Sequence, residues 1–507
     1  MSLIPVGLCR IKRLSFQLLS FWMFLTLLGL RLSDASELWE WLHPGPQPQP
    51  FSANLFDNDF SYLSRPHGGY VWGEQLKQLQ ATWPFCTVDT HGTVSTGGEL
   101  RYRFIDEQNR LRPGGPGDSD YQQWRWRHYV EVRYDSWARL YIEGIDASTF
   151  DAELPLTGVD VNRWDLQNAF LDISFGEEQP WTLRTGRQEL QYGAQRLISP
   201  LDWANTRRNF EGFKLFTRSS EWDWDLWVVQ PVNTATLGAG QLFDNDRAFD
   251  QRSRDYWFAG SYFTYKQIAG HTFDLFFLYV GQHQPLNGLP YGDRYTLGLR
   301  WLGKLPENDR GEQWQAELEG GYQFGNDRSS LYDPASPRAS VQAGYVVAGV
   351  GHSWNRWFAK PSLWIYYDYA TGDQDPYDSQ NNTFFQHYGL VHAYLGLIDN
   401  LARQNLQDLN VKLQLQPYDP LKLQVLYHWY QLARERDVLY NVAGSPVGTT
   451  GRGRDVGCEL DLVATFQVNA NWSLETGYFW MWYGDYLAAV APRLSAQMVY
   501  FMSTLRY

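Results

Sequence analysis

Leu100-Arg101-Tyr102-Arg103-Phe104 decides the fold, because apolar and charged residues alternate in it one by one. In an extended strand successive side chains leave on opposite faces, so Leu100, Tyr102 and Phe104 share one face and Arg101 and Arg103 the other. The rhythm recurs. Val130, Val132 and Tyr134 oppose Glu131 and Arg133, and Leu140 and Ile142 oppose Arg139, Tyr141 and Glu143. Leu297, Leu299 and Trp301 oppose Thr296 and Arg300, while Trp314, Ala316 and Leu318 oppose Gln315, Glu317 and Glu319. Val411, Leu413 and Leu415 oppose Lys412, Gln414 and Gln416. Eighteen such segments begin near residues 97, 129, 138, 168, 181, 210, 222, 256, 272, 294, 314, 341, 362, 409, 421, 456, 472 and 497. Gly, Asp, Asn and Pro clusters separate them and no long helical period intervenes, which predicts an antiparallel meander and argues against a parallel α/β sheet.

Two architectures bury such strands: a soluble sandwich with the apolar face inside, or a membrane barrel with the apolar face on lipid and the charged face on a lumen. The density of Arg101, Arg103, Glu131, Arg133, Arg139, Glu143, Glu317 and Glu319 on one face favours a wide barrel, because a soluble core could not hydrate them. Trp181, Trp222, Tyr256, Trp314, Tyr367, Tyr369, Trp429 and Trp482 stand at segment ends, where interfacial aromatic girdles would lie. Val499 to Tyr507 alternates up to a terminal aromatic, which resembles the C-terminal signal read by the outer-membrane barrel assembly machinery. The expected fold is an all-β, transmembrane antiparallel β-barrel of about 18 strands, of the outer-membrane type.

Composition agrees. The 507 residues include 24 Trp, 32 Tyr and 28 Phe, and 20% are charged, which excludes a disordered chain. Only one uninterrupted apolar stretch exists, Leu14 to Leu30, so a polytopic helical membrane protein is excluded. A net charge of -13 removes the usual driving force for nucleic-acid binding. Residues 1–36 read as a secretory signal peptide: Arg10, Lys12 and Arg13 precede the apolar stretch, and Ser33, Ala35 and Ser36 follow it. Residues 37–90 read as an N-terminal periplasmic linker or plug segment, containing the Pro-rich His43 to Pro50 and a short helix around Gly73 to Ala81. Residues 91–507 form the barrel. Cys86 and Cys458 are expected as separate thiols, since two cysteines make neither a disulfide framework nor a metal-ligand spacing.

One stretch carries a resemblance. It reads Leu183-Arg184-Thr185-Gly186-Arg187-Gln188-Glu189-Leu190-Gln191-Tyr192-Gly193, then Arg196-Leu197-Ile198-Ser199-Pro200, Trp203, and Arg207-Arg208-Asn209-Phe210-Glu211-Gly212-Phe213-Lys214. With Tyr367-Asp368-Tyr369-Ala370-Thr371-Gly372-Asp373 and Asp455-Val456-Gly457-Cys458-Glu459-Leu460-Asp461-Leu462-Val463, it resembles the alginate export family of outer-membrane porins across about residues 95–507. The resemblance implies an 18-stranded barrel in the cell outer membrane whose arginine-rich lumen passes an anionic polyuronate outward. It also implies that Arg187, the Arg of Gly-Arg-Gln, lies near the constriction. Strict alternation from Trp181 would turn Arg187 to lipid, so a bulge at Gly186 or the start of a loop is needed to bring it inward.

Guanidinium binds carboxylate in a fork and keeps its charge at physiological pH. The expected anion-contacting residues are Arg101, Arg103, Arg133, Arg139, Arg184, Arg187, Lys214 and Arg300, with Lys412 on the same face. Glu131, Glu143 and Glu317 are expected to pair with arginines and weaken each site, since conduction requires release. The same charges could instead brace the barrel as internal salt bridges. The expected partners are outer-membrane lipid, an anionic polysaccharide and periplasmic secretion or scaffold proteins; no cofactor or metal is expected. The rival readings are a small-solute nutrient porin on the same fold and a secreted all-β carbohydrate-active enzyme. No Gly-x-Ser-x-Gly, His-Glu-x-x-His or phosphate-binding Gly loop occurs. Asp244 to Asp246 and Asp373 to Asp375 lack the ligand spacing of a calcium loop.

Overall fold

Every alternating segment forms a strand of one closed sheet. The computed structural model describes residues 48–64, 71–81, 92–112, 116–177, 180–233, 237–282, 291–328, 337–375 and 378–507. The expected signal peptide and Cys86 lie outside the described residues. The wall begins with β1 (Gly92–Gln108), β2 (Asp118–Tyr134), β3 (Ala138–Phe150), β4 (Asn162–Phe175), β5 (Trp181–Gln188) and β6 (Phe210–Arg218). It continues with β7 (Trp222–Asn233), β8 (Tyr256–Tyr265), β9 (His271–Gln282), β10 (Asp293–Lys304), β11 (Glu312–Arg328) and β12 (Arg338–Trp354). It ends with β13 (Ser362–Ala370), β14 (Leu406–Tyr418), β15 (Leu421–Leu432), β16 (Asp455–Gln467), β17 (Trp472–Tyr483) and β18 (Ser495–Arg506). Each pairs antiparallel with the next, and β18 returns to β1 in a register running from Glu99 opposite Arg506 to Gln108 opposite Gln497. Closure leaves no long unpaired edge, the condition for a sheet in lipid.

The two faces separate as alternation requires. Leu297 and Leu299 are each 52% exposed on the outer surface, whereas Thr296 between their neighbours is 0% exposed. Leu100, Val130, Leu140 and Ile142 point out, while Arg101, Arg103, Glu131 and Glu143 are buried inside. Connections at one end are short, such as 135–137, 219–221 and 419–420, and those at the other include 189–209, 234–255, 371–405 and 433–454. In outer-membrane barrels the short turns face the periplasm. The first residue of β1 and the last of β18 lie at that short-turn end.

Three expectations change in detail. β2 starts at Asp118, well before residue 129, because Trp124 and Trp126 continue the outer face and Arg125 and Arg127 the inner one. The helix expected around Gly73 to Ala81 is a single 3-10 turn, Glu74–Leu76, followed by a strand Leu79–Ala81 paired with Gly92 to Val94; Gly73 and Gln78, both at positive φ, delimit the turn. Tyr256 belongs to no outer girdle. It is 2% exposed inside the barrel with its ring 6.4 Å from that of Tyr388, because it shares the inner face with Phe258.

Two long loops fold back into the barrel. Loops 189–209 and 371–405 touch at a parallel bridge between Ile198 and Tyr388, where Tyr388 N–H donates to Leu197 O at 2.9 Å and Ser199 N–H to Tyr388 O at 3.0 Å. Leu190, Ile198, Phe384, Ile398 and Leu401 are at most 2% exposed and pack on inward residues such as Trp227, Phe258, Leu278, Tyr430 and Phe479. The loops therefore give the barrel an apolar filling at this height.

Candidate functional site

The chain preceding β1 turns into the barrel at its short-turn end. Asp59 N–H donates to Pro50 O at 2.9 Å, closing a compact strap whose tip is the 3-10 turn Leu55–Asp57. Leu55 and Phe56 are 1% and 8% exposed and cluster with Tyr129, Tyr141 and Phe170 of the wall. Between strap and wall lies a cavity of about 520 Å³, lined by Arg133, Arg139, Arg184, Lys214 and Arg218 together with Asp57, Asp135, Asp172, Glu189, Phe56, Trp137 and Phe216 among others.

The sheet register places these cations in one row. Arg133 stands opposite Arg139, Arg139 opposite Asp172, Asp172 opposite Arg184, and Arg184 opposite Lys214. Like charges facing across strands repel, and carboxylates relieve this. Glu131 accepts from Arg133 Nε at 2.5 Å and from Arg139 Nε at 2.8 Å. Asp172 takes both arms of Arg184 at 2.7 and 2.8 Å, the forked geometry that makes such pairs strong. Asp225 binds Lys214 at 2.7 Å and Arg218 at 2.6 Å. Arg184 also lies 3.7 Å over the Phe170 ring. The Arg133 and Arg218 side chains remain 50% and 46% exposed, so they can meet a solute without leaving water.

The other four expected residues sit elsewhere. Arg101 donates to the carbonyls of Asp202 at 2.7 Å and Ala204 at 2.5 Å; Arg103 donates to Trp203 O at 2.6 Å and lies 4.3 Å over the Trp203 ring. Both are 3% exposed, and they pin loop 189–209 to the wall. Arg300 binds Glu317 at 2.9 Å and Asp274 at 3.2 Å, beside Arg196, which bridges Glu317 and Glu319. Arg187 donates to Glu211 Oε1 at 2.6 Å and to Asp250 O at 2.9 Å, and it stands opposite Ala169, which itself stands opposite the outward-facing Ile142. Gly186, at φ +126°, stands opposite Gly212 at φ +152°, and the pairing with both neighbouring strands runs through it without a register shift, so the expected bulge is not formed. A Cβ on Gly186 would stand 2.2 Å from Ala169 O. Gly186→Ala, in a conformation that strains an L residue by about 1–3 kcal/mol before the clash is added, should lower the yield of heat-modifiable folded barrel.

The sequence reading missed Arg218, although it shares the alternating face of Lys214. It also missed the deeper grid of Arg125, Arg127 and Arg207 with Glu99, Glu189 and Asp202, into which Glu143, expected to pair with an arginine, is built through Arg127. Arg127 Nε donates to Glu143 at 2.7 Å, Arg125 Nη2 to Glu99 at 2.6 Å, and Arg207 Nε to Glu189 at 2.6 Å. Burial pulls the Arg207 guanidinium down, but Glu189 and Asp202 outweigh it and leave the group held well above its ordinary value. Arg125 and Arg127 stand on the part of β2 upstream of residue 129, and Arg207 on the inward loop.

Asp250, in the loop after β7, has its carboxyl pushed up to about 8 by burial and then by Asp165, which accepts the Asp250 N–H at 2.8 Å. An acid raised on folding binds more protons in the folded than in the unfolded state between its ordinary value and the raised one. Stability from this contact is therefore greatest at acid pH and falls as pH rises toward 8. Proteolysis of loop 234–255 should quicken between pH 6 and pH 9 in the parent protein and stay level in Asp250→Asn.

Residues 93–501 match the alginate export family. No curated protein matches the chain. Solved outer-membrane barrels share its fold. Pseudomonas aeruginosa OpdQ is 12% identical, with a TM-score of 0.52 over 82% of this chain and 97% of that one. The outer membrane protein OprD from Pseudomonas aeruginosa is 9% identical, with a TM-score of 0.51 over 81% of this chain and 93% of that one. Pseudomonas aeruginosa OccD3 (OpdP) is 10% identical, with a TM-score of 0.51 over 81% and 91%. Family and fold are those of outer-membrane channels. A closed 18-stranded barrel with an apolar outer face, matched over most of its length, places this chain in the alginate export family of outer-membrane proteins.

Proposed function

We propose that this channel passes an anionic polysaccharide, of the polyuronate class, outward by diffusion. The observation that supports the reading is the convergence of Arg133, Arg139, Arg184, Lys214 and Arg218 on one water-accessible cavity at the periplasmic mouth. Glu131 and Asp225 hold four of these cations from behind, so what meets a solute is not a net positive charge but the two half-exposed guanidinium groups of Arg133 and Arg218 on the cavity wall. Each cation already has a carboxylate partner nearby, so an incoming uronate exchanges partners and is not trapped. Such shallow sites in series are what conduction of a polyanion requires.

Ion current in planar bilayers tests the proposal. Chloride preference, with block by a polyuronate and none by neutral dextran, is the expected result. Cation preference would overturn it. Anion current that polyuronate leaves untouched would favour the nutrient porin for small solutes.

A further inference from the structure

We propose that the strap formed by residues 50–59 is an internal plug that occupies the polymer's own binding site, so that strap and polyanion compete for Arg139 and Arg184. The inference rests on the channel reading above for the identity of the competitor, and on geometry for the rest. Arg139 Nη2 donates to Phe56 O at 2.6 Å, Arg127 Nη1 to Ala53 O at 3.2 Å, and the Arg184 guanidinium lies 5.0 Å over the Phe56 ring. All three contacts are neutral on the strap's side: two carbonyls and a π face. A carboxylate hydrogen bond to guanidinium is roughly twice as strong as a neutral one. Glu131 and Asp172 hold Arg139 and Arg184 with or without the strap, whose neutral contacts on the same guanidinium groups yield to a carboxylate of the polymer.

The strap also reaches loop 189–209. Asn54 Nδ2 donates to Gln191 Oε1 at 3.2 Å, and Arg207 Nη2 donates to Asn54 Oδ1 at 2.9 Å, both partners lying on loop 189–209. Withdrawal of the strap removes these two ties from the loop that fills the barrel. Because the Asp59 to Pro50 hydrogen bond closes the strap at its base, it leaves as one unit, and the apolar slot that held Leu55 and Phe56 opens into the cavity.

Two measurements on the full chain test this. Replacing residues 51–58 by a Gly/Ser stretch of equal length should raise single-channel conductance by roughly threefold or more, as widening an aqueous constriction does. In a Cys86→Ser, Cys458→Ser background, Leu55→Cys should react slowly with a bulky maleimide. Polyuronate should speed the reaction about tenfold, by the partner exchange that frees the strap, and dextran should not. Unchanged conductance in a heat-modifiable, folded replacement overturns the plug. Fast labelling of Leu55→Cys without polymer also overturns it, even if the replacement fails to fold. Labelling that polyuronate does not accelerate overturns the competition. Cation preference of the parent channel would remove the polyanion reading while leaving the conductance test of the plug intact.

Discussion

Changing Arg133, Arg139, Arg184 and Lys214 together to glutamine should turn an anion-preferring channel into a cation-preferring one. A unit charge about 7 Å from an ion in water contributes about 0.6 kcal/mol, and physiological salt screens more than half of that. Four such charges then shift the local chloride concentration by roughly 5-fold in salt and up to about 50-fold at low ionic strength, and because potassium moves the opposite way the chloride-to-potassium permeability ratio shifts further still. The sign changes, and the ratio does not merely fall to one, because Glu131 and Asp172 lose their partners and keep their charge, while Asp225 is left with Arg218 alone. The double variant Arg184→Gln with Asp172→Asn removes one charge of each sign and should keep the parent's preference. A quadruple variant with the parent's reversal potential would remove these residues from the ion path.

Glu189→Ala should destabilise the barrel by about 3–5 kcal/mol, the usual effect of stranding a buried charge. Glu189 is 2% exposed, accepts from both Arg207 Nε and Nη2 at 2.6 and 3.0 Å, and takes Gln167 Nε2 at 2.8 Å. Its loss leaves Arg207 to Asp202 and Asn54 alone. The temperature at which the folded band converts on a denaturing gel should drop sharply. Glu189→Leu with Arg207→Met removes both partners and should recover most of that loss, since replacing a whole buried pair by apolar residues is often neutral. Equal losses in the single and double variants would contradict this account of the grid.

Much of the wall was legible because lipid and lumen impose opposite demands on neighbouring residues. Leu100 to Phe104 and Thr296 to Trp301 carry both demands in a few positions, so strand identity and facing could be read directly. The cation row of Arg133, Arg139, Arg184 and Lys214 followed from the same period. Its carboxylate partners Glu131, Asp172 and Asp225 lie on the same alternating strands, whereas its contacts with the strap at Phe56 could not be read, because the strap has no period. Arg101 and Arg103 faced inward as alternation required, yet their acceptors are main-chain carbonyls of Asp202, Trp203 and Ala204, which no side-chain pattern announces. Tyr256 looked like a girdle residue because aromatic identity alone cannot tell the outer face from a filled interior. Arg187 is buried not by a bulge but by its contacts with Glu211 and with Asp250 of the loop after β7, which no strand period announces. Arg125 and Arg127 were hidden by an assumed strand start near residue 129, though Trp124-Arg125-Trp126-Arg127 has the same alternation as the stretch that decided the fold.

The arrangement depends on which face of the sheet meets acyl chains. Nitroxide labels on Leu299→Cys and Arg300→Cys, each in the background lacking Cys86 and Cys458 and reconstituted in lipid, probe it at adjacent residues. The expected result is a label at 299 that collides with oxygen dissolved in the bilayer and is shielded from a water-soluble nickel chelate, beside a label at 300 screened from the bilayer. Nickel access at 299, or identical accessibility at the two positions, would contradict it.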